Sequence, residues 1–223
     1  MQINNNLEKY IEENIFPSYQ KNDLGHNIDH IRYVIERSIK FASKAANINY
    51  DMVYTIAAYH DIGHYIDAKN HEKISSEILE EDNNLRNFFT EDEIKIMAEA
   101  VYDHRASLKG KPRSIYGEIV SSADRETRVE VQLQRMYEYR LEHYSDKTLD
   151  WMIEDTRLYI INKFGENGYA NKKIYFKDDD YQNFLKELPT LANNSEEFRK
   201  KYLEVNQINL NDNYKLIKNK TSK

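Results

Sequence analysis

A chain of 223 residues with only 6 glycines and 3 prolines offers its backbone few places to turn sharply or to break a helix. Leu, Ile, Glu, Lys and Ala are abundant beside that scarcity, which predicts helices joined by short connections. The length is enough to bury a real core and no longer than one large domain. An all-α chain, residues 1–223 forming a single helical domain, is the expected architecture.

The apolar periodicity locates the helices. Ile28, Ile31, Val34, Ile35, Ile39, Ala42 and Ala46 recur at three- and four-residue steps and predict a helix over 28–48. Met52, Val53, Ile56 and Ala57 continue the style over 51–62, with Gly63 placed to end it. A further helix is expected from His71, with Ile74, Ile78 and Leu79 on one side. Thr90 and Glu93 form a capping-box signature ahead of Ile94, Met97, Ala98 and Val101. After a break at 108–113, which contains Gly110 and Pro112, residues 114–140 read as one long helix. Residues 148–164 read as another, stopped by Gly165. Residues 165–180 read as a loop, followed by a shorter helix marked by Tyr181, Phe184, Leu185 and Leu188. The polar stretch 206–223 is expected to fray.

Composition removes several kinds of chemistry. Cysteine is absent, so disulfides, thiolate metal sites and cysteine nucleophiles are excluded. The 32 basic and 38 acidic side chains leave a formal net charge of -6, which repels a phosphate backbone at long range and argues against a nucleic-acid partner. No apolar run approaches the roughly 20 residues needed to span a bilayer. Residues 1–10 are polar and lack the basic-then-apolar order of a secretory signal. A cytoplasmic location and no membrane partner are the expectations that follow.

Four histidines and two aspartates then stand out. At about 100° per residue, His30 shares the side of Val34 and Phe41, His60 that of Val53 and Ile56, His71 that of Ile74 and Ile78, and His104 that of Met97 and Val101. Asp124 falls one turn after Val120. A lone inward histidine is usually a satisfied core residue, and a lone aspartate in mid-helix is usually solvated. Two inward carboxylates, Asp61 and Asp124, are another matter, because each would cost several kcal/mol buried without a partner. A shared divalent cation removes that cost. Imidazole and carboxylate together suit Mn²⁺, Fe²⁺, Co²⁺, Ni²⁺ or Zn²⁺, and Mg²⁺ less well. Consecutive residues on a helix diverge, so His60 and Asp61 would occupy different sides of one ion.

The ordered set His30, then His60-Asp61-Ile62-Gly63, then Asp124 in Ser122-Ala123-Asp124-Arg125 resembles the HD superfamily of metal-dependent phosphohydrolases. His71-Glu72 and His104-Arg105 resemble the additional histidines of members with two metals. The resemblance covers an HD core of about residues 26–130 and leaves 131–205 as a C-terminal helical extension. It implies that His30, His60, Asp61 and Asp124 hold a first metal, that His71 and His104 serve a second, and that Asp61 bridges them. It also implies hydrolysis of a phosphoester or phosphoanhydride. A glutamate that several single-metal nucleotidases carry three residues after the aspartate is replaced by His64, and the Gly-Tyr-Pro signature of cyclic-di-GMP phosphodiesterases is missing.

Arg105, Lys109, Lys111 and Arg113 form a local positive cluster beside His104 that would attract phosphate oxygens of a nucleotide or similar small substrate. A solvated loop is the competing reading. Arg125 and Arg128 are alternatives, with Arg128 one helical turn beyond Asp124. At His64, and at His26, one turn ahead of His30, a ring could donate a proton to the leaving oxygen. A di-iron oxygenase and a non-catalytic metal-binding helical module are the other functions compatible with the pattern.

Overall fold

Three asparagines start the first three helices of the computed structural model, which describes residues 2–208. The Asn4 side chain accepts from the backbone N–H groups of Asn6 and Leu7 and opens α1, Asn5–Asn14. Asn27 does the same for Asp29 and His30 at the head of α2, Ile28–Ala42. Asn49 serves Asp51 and Met52 ahead of α3, Tyr50–Tyr59. Each such cap is worth about 1 kcal/mol relative to alanine. The polar N-terminus carries no helix signal that the sequence alone makes legible. Leu7 and Ile11 are nevertheless one turn apart and fully buried, and they seat α1 on the core.

α2 and α3 are both shorter than the periodicity predicts. α2 stops at Ala42 rather than 48, because the chain turns through Asn47 at φ 58° and Asn49 is engaged as the next cap. α3 stops at Tyr59 rather than 62. Beyond it run tight turns, with Ile62 N–H donating to Tyr59 O (3.1 Å), His64 to Asp61 O (3.0 Å) and Ile66 to Gly63 O (3.0 Å). His60 and Asp61 therefore lie in a turn just past a helix end. Every residue of α3 from Met52 to Tyr59 is buried, which makes it the central helix, packed by α2 and by two later helices.

α4, His71–Glu81, and α5, Glu91–Tyr102, begin where the sequence places them, and the Thr90–Glu93 capping box forms in full. The long helix expected over 114–140 is broken into α6, Ile115–Ala123, and α7, Val129–His143. The physical reason lies in Glu126. Its Oε1 accepts from the N–H groups of Thr127 and Arg128, and its two oxygens bind the Arg128 guanidinium at 2.8 and 2.9 Å. Side-chain acceptors thus take N–H groups that a continuous helix would bond to carbonyls four residues back.

The chain gathers into two compact units, one of residues up to Arg125 with Lys173–Lys177, the other of Glu126–Lys172 with residues from Asp178 onward. In the first, Ile31, Val34 and Phe41 of α2, Ile56 and Tyr59 of α3, Met97 and Val101 of α5, and Val120 of α6 form one fully buried core. Phe176 of the returning segment stacks on Phe41 with ring centroids 5.4 Å apart. The second unit holds α7, α8 (Leu149–Phe164), α9 (Asp179–Asn193) and α10 (Ser195–Val205), the last a helix beyond those expected from the sequence. Leu133, Ile153, Ile160, Phe164, Phe184, Leu188, Phe198 and Tyr202 are its core. The described residues contain no strand, so the fold class is all-α. No described helix is long and apolar enough to cross a membrane. Most of the segment expected to fray, 209–223, lies outside the described residues.

Candidate metal centre

Four helix ends and the turn after α3 converge on one carboxylate. Asp61, only 2% exposed, points Oδ2 at one pair of imidazoles and Oδ1 at another. Oδ2 lies 3.1 Å from His60 Nε2 and 3.5 Å from His30 Nε2. Oδ1 lies 3.2 Å from His71 Nε2 and 3.5 Å from His104 Nε2. Asp124 closes the first group, its Oδ1 at 3.1 Å from His30 Nε2 and 3.7 Å from His60 Nε2. Two groups of donors result, His30–His60–Asp61–Asp124 and Asp61–His71–His104, with Asp61 common to both.

The hydrogen bonds behind these rings fix what each nitrogen can do. Nδ1 of His60 lies 2.8 Å from Ala57 O, that of His71 2.9 Å from Ala68 O, and that of His104 2.6 Å from Val101 O. A carbonyl only accepts, so Nδ1 carries the proton in all three rings, and the neutral ring presents a lone pair at Nε2. The three rings repeat one local device, a helix-end or turn histidine bonded to the carbonyl three residues earlier. His30 is oriented differently, with its backbone N–H held by the Asn27 cap.

Both nitrogens of His30 and Nε2 of His60 are buried without a hydrogen-bond partner among the described residues. Carboxylate oxygens stand 3.1–3.7 Å from the two Nε2 atoms, but none lies in line for a hydrogen bond. Nitrogens and oxygens that crowd together without pointing at one another point at a shared centre. Separations of about 3 Å are also what two donors show when each sits about 2.1 Å from one ion at a right angle. The residues present therefore fit a divalent cation, and the N/O donor set fits the transition metals before Mg²⁺.

The electrostatics of the ion-free cluster run the same way. Burial pushes Asp61 and Asp124 upward, but neighbouring imidazoles outweigh it and hold both well below the usual carboxylate range. Burial pulls His60 down, yet Asp61 and Asp124 raise it well above the ordinary histidine value. His71 is likewise raised, burial opposing and the Asp61 carboxylate prevailing. A charge-dense site of this kind prefers a bound cation, natural or protonic.

Several details were not legible in the sequence. Ser75, fully buried, accepts the Gly63 N–H at 3.0 Å and locks the His-Asp turn to α4. Asn22 donates to the carbonyls of His26 and Asp61, both at 3.0 Å, and accepts from Tyr65 N–H. No motif marks either residue; a small hydroxyl in the heart of an amphipathic helix is the one hint Ser75 gave.

The six expected basic residues are placed as follows. Arg105 donates to Glu72 and to Lys69 O, at 2.9 and 2.8 Å. Lys111 pairs with Glu118 at 2.6 Å. Arg113 grips the buried Asp103 with Nε and Nη2 at 2.9 and 2.8 Å, and its own N–H joins the same carboxylate. Lys109 is exposed and makes no ion pair among the described residues. Arg125 is buried and donates to Lys173 O. Arg128 embraces Glu126, and the break after Ala123 removes the helical register that would have set it beside Asp124. His26 and His64 meet at Asp23 and stack on each other.

The family model for the HD domain matches residues 27–129, a span that contains all six converging residues. Among solved structures, a predicted HD superfamily hydrolase from an uncultured Thermotogales bacterium is similar. It shares 15% identity over 89% of this chain and 90% of its own, with a TM-score of 0.47. No curated protein matches the sequence. The chain carries an HD domain over residues 27–129.

Proposed function

We propose that the protein is a phosphohydrolase that cleaves a phosphoester or phosphoanhydride of a nucleotide or a similar small phosphorylated compound. The observation that carries this reading is the sharing of Asp61, one oxygen to His30 and His60 and the other to His71 and His104. His30, His60, Asp61 and Asp124 would hold one divalent ion, and Asp61, His71 and His104 a second. Bound there, such ions acidify water and polarise a phosphoryl oxygen, and a pair clamps both the attacking and the leaving oxygen.

The chain's own part is preorganisation. The carbonyls of Ala57, Ala68 and Val101 hold three rings with Nε2 bare. The carboxylates of Asp61 and Asp124 supply negative charge that the ions would neutralise, leaving the site able to accept an anionic substrate. Asp124, with 23% of its side chain exposed, is the edge that solvent and substrate reach. Lys109 is the loop cation able to steer phosphates, since its neighbours already hold carboxylates. His64 is pulled down to about 4, by burial first and His26 second, so at neutral pH it lacks the proton that a donor to the leaving oxygen would need.

The test is release of phosphate from a panel of nucleotides and sugar phosphates with Mn²⁺, Co²⁺, Fe²⁺ and Mg²⁺ in turn. Turnover with at least one metal is expected. Asp61→Ala should lower it by on the order of 10³-fold, about 4 kcal/mol of transition-state stabilisation, and strip bound metal while helical content persists. Full turnover by Asp61→Ala overturns the site. Oxygen uptake by an iron-loaded protein that releases no phosphate favours the di-iron oxygenase.

A further inference from the structure

One more group of ligand-bearing side chains comes together outside the Asp61-centred clusters. Asp23, His26 and His64 bring a carboxylate oxygen and two ring nitrogens within 4.8 Å of one another. Two segments supply them. Asp23 caps the 3-10 turn Leu24–His26 that leads into α2, and His64 sits in the turn that follows Asp61. The Asn22 side chain ties the segments together through His26 O, Asp61 O and Tyr65 N–H, each at 3.0 Å. The approach of these residues is therefore built into the fold rather than left to two separate loops.

His64 is the observation that points to a ligand. Only 10% of its side chain is exposed, yet its ring makes no hydrogen bond among the described residues, and Asp23 Oδ2 stands 3.8 Å from its Nδ1. His26 Nδ1 lies 2.7 Å from Asp23 Oδ1, and the two imidazoles stack with centroids 3.8 Å apart, so all three groups face one small volume.

We propose that Asp23, His26 and His64 form a further divalent-cation site, distinct from the Asp61-centred pair. Two imidazoles and one carboxylate suit Zn²⁺, Co²⁺ or Ni²⁺ in preference to Mg²⁺. Three protein donors leave coordination positions to water, and Asp23 keeps 40% of its side chain exposed, so the ion exchanges more readily than those on Asp61. The site needs only the fold and is independent of the reaction proposed above.

The experiment is equilibrium dialysis of the chelator-stripped full chain against Co²⁺, with metal counted by elemental analysis and helicity checked by far-UV circular dichroism. Wild type should bind one equivalent more than Asp23→Asn and one more than His64→Ala. Asp23→Asn touches none of the Asp61-centred donors and carries the test should His64→Ala fold poorly. Anomalous diffraction should show a peak among Asp23, His26 and His64. Asp61→Ala should lose the central metal and keep this equivalent. Loss in Asp23→Asn with no loss in Asp61→Ala would sink the central assignment and leave this one standing. Equal Co²⁺ binding by wild type and Asp23→Asn up to a large excess of metal, with no anomalous peak at the three residues, overturns the proposal.

Discussion

Arg113 and Lys109 lie four positions apart in one loop, and their surroundings give them different work. Arg113 closes a bidentate pair on Asp103, whose side chain is only 4% exposed and which immediately precedes His104. Truncating Arg113 would leave a buried carboxylate unpaired, a change that costs about 3 kcal/mol when the partner is fully buried and less here, where the guanidinium is 47% exposed. Lys109 has no such partner. Lys109→Ala is therefore expected to keep stability within about 0.5 kcal/mol while raising KM for an anionic substrate and flattening its dependence on salt. Arg113→Ala is expected to do the reverse, losing about 2 kcal/mol in urea unfolding. Equal effects of the two variants on KM, with no difference in stability, would return both to a common electrostatic role.

At the scale of elements, the contact between the His-Asp turn and α4 sets how Asp61 meets His71. Gly63 lies so close to α4 that an added Cβ would stand 2.7 Å from Ile74 Cγ2 and 2.9 Å from Ser75 N. The second neighbour is backbone and cannot rotate away. Gly63→Ala is expected to destabilise the fold by about 1–3 kcal/mol and to push α4 outward, weakening metal binding at His71 before that at His30. Urea unfolding with metal analysis checks both parts; an alanine variant of wild-type stability and full metal content would show that the turn and α4 slide freely. The same element logic explains the broken helix after α6. The periodicity over 114–140 is continuous, yet Glu126 diverts the local N–H groups and places Asp124 at a helix end, φ -72° and ψ 25°, where its carboxylate faces His30.

For the whole molecule, the buried histidines make stability depend on pH in opposing ways when no metal is bound. His71 is raised in the folded state, so its contribution is fully present below the unfolded value of 6.5 and is lost as pH rises through the folded one. His64 is lowered from 6.5 to about 4, so between those values the unfolded chain binds the extra proton and acid destabilises the fold. His64→Gln in chelator should remove this part, and the loss of stability from pH 7 to 5 should shrink. Identical pH slopes for variant and wild type in urea titrations would count against a neutral, buried His64.

What the sequence determined by itself is what neighbours along the chain decide. Caps such as Thr90–Glu93, the apolar faces of α2 through α5 and the stop at Gly165 all act within about one helical turn, so they can be read from short windows. The chemical types of His30, His60, Asp61, His71, His104 and Asp124 were legible for the same reason, since burying them unpaired is costly wherever they end up. Only the tertiary structure decided which of these atoms meet. Asp61 lies 31 residues from His30 and 63 from Asp124 along the sequence, and its division between two imidazole pairs depends on how α2, α4, α5 and α6 pack around α3. It likewise decided that Arg113 answers Asp103, that Asn22 binds the turn after Asp61, and that His26 and His64 share Asp23. Those partners are chosen by packing between distant segments, where side-chain directions are fixed by the whole core rather than by any local pattern.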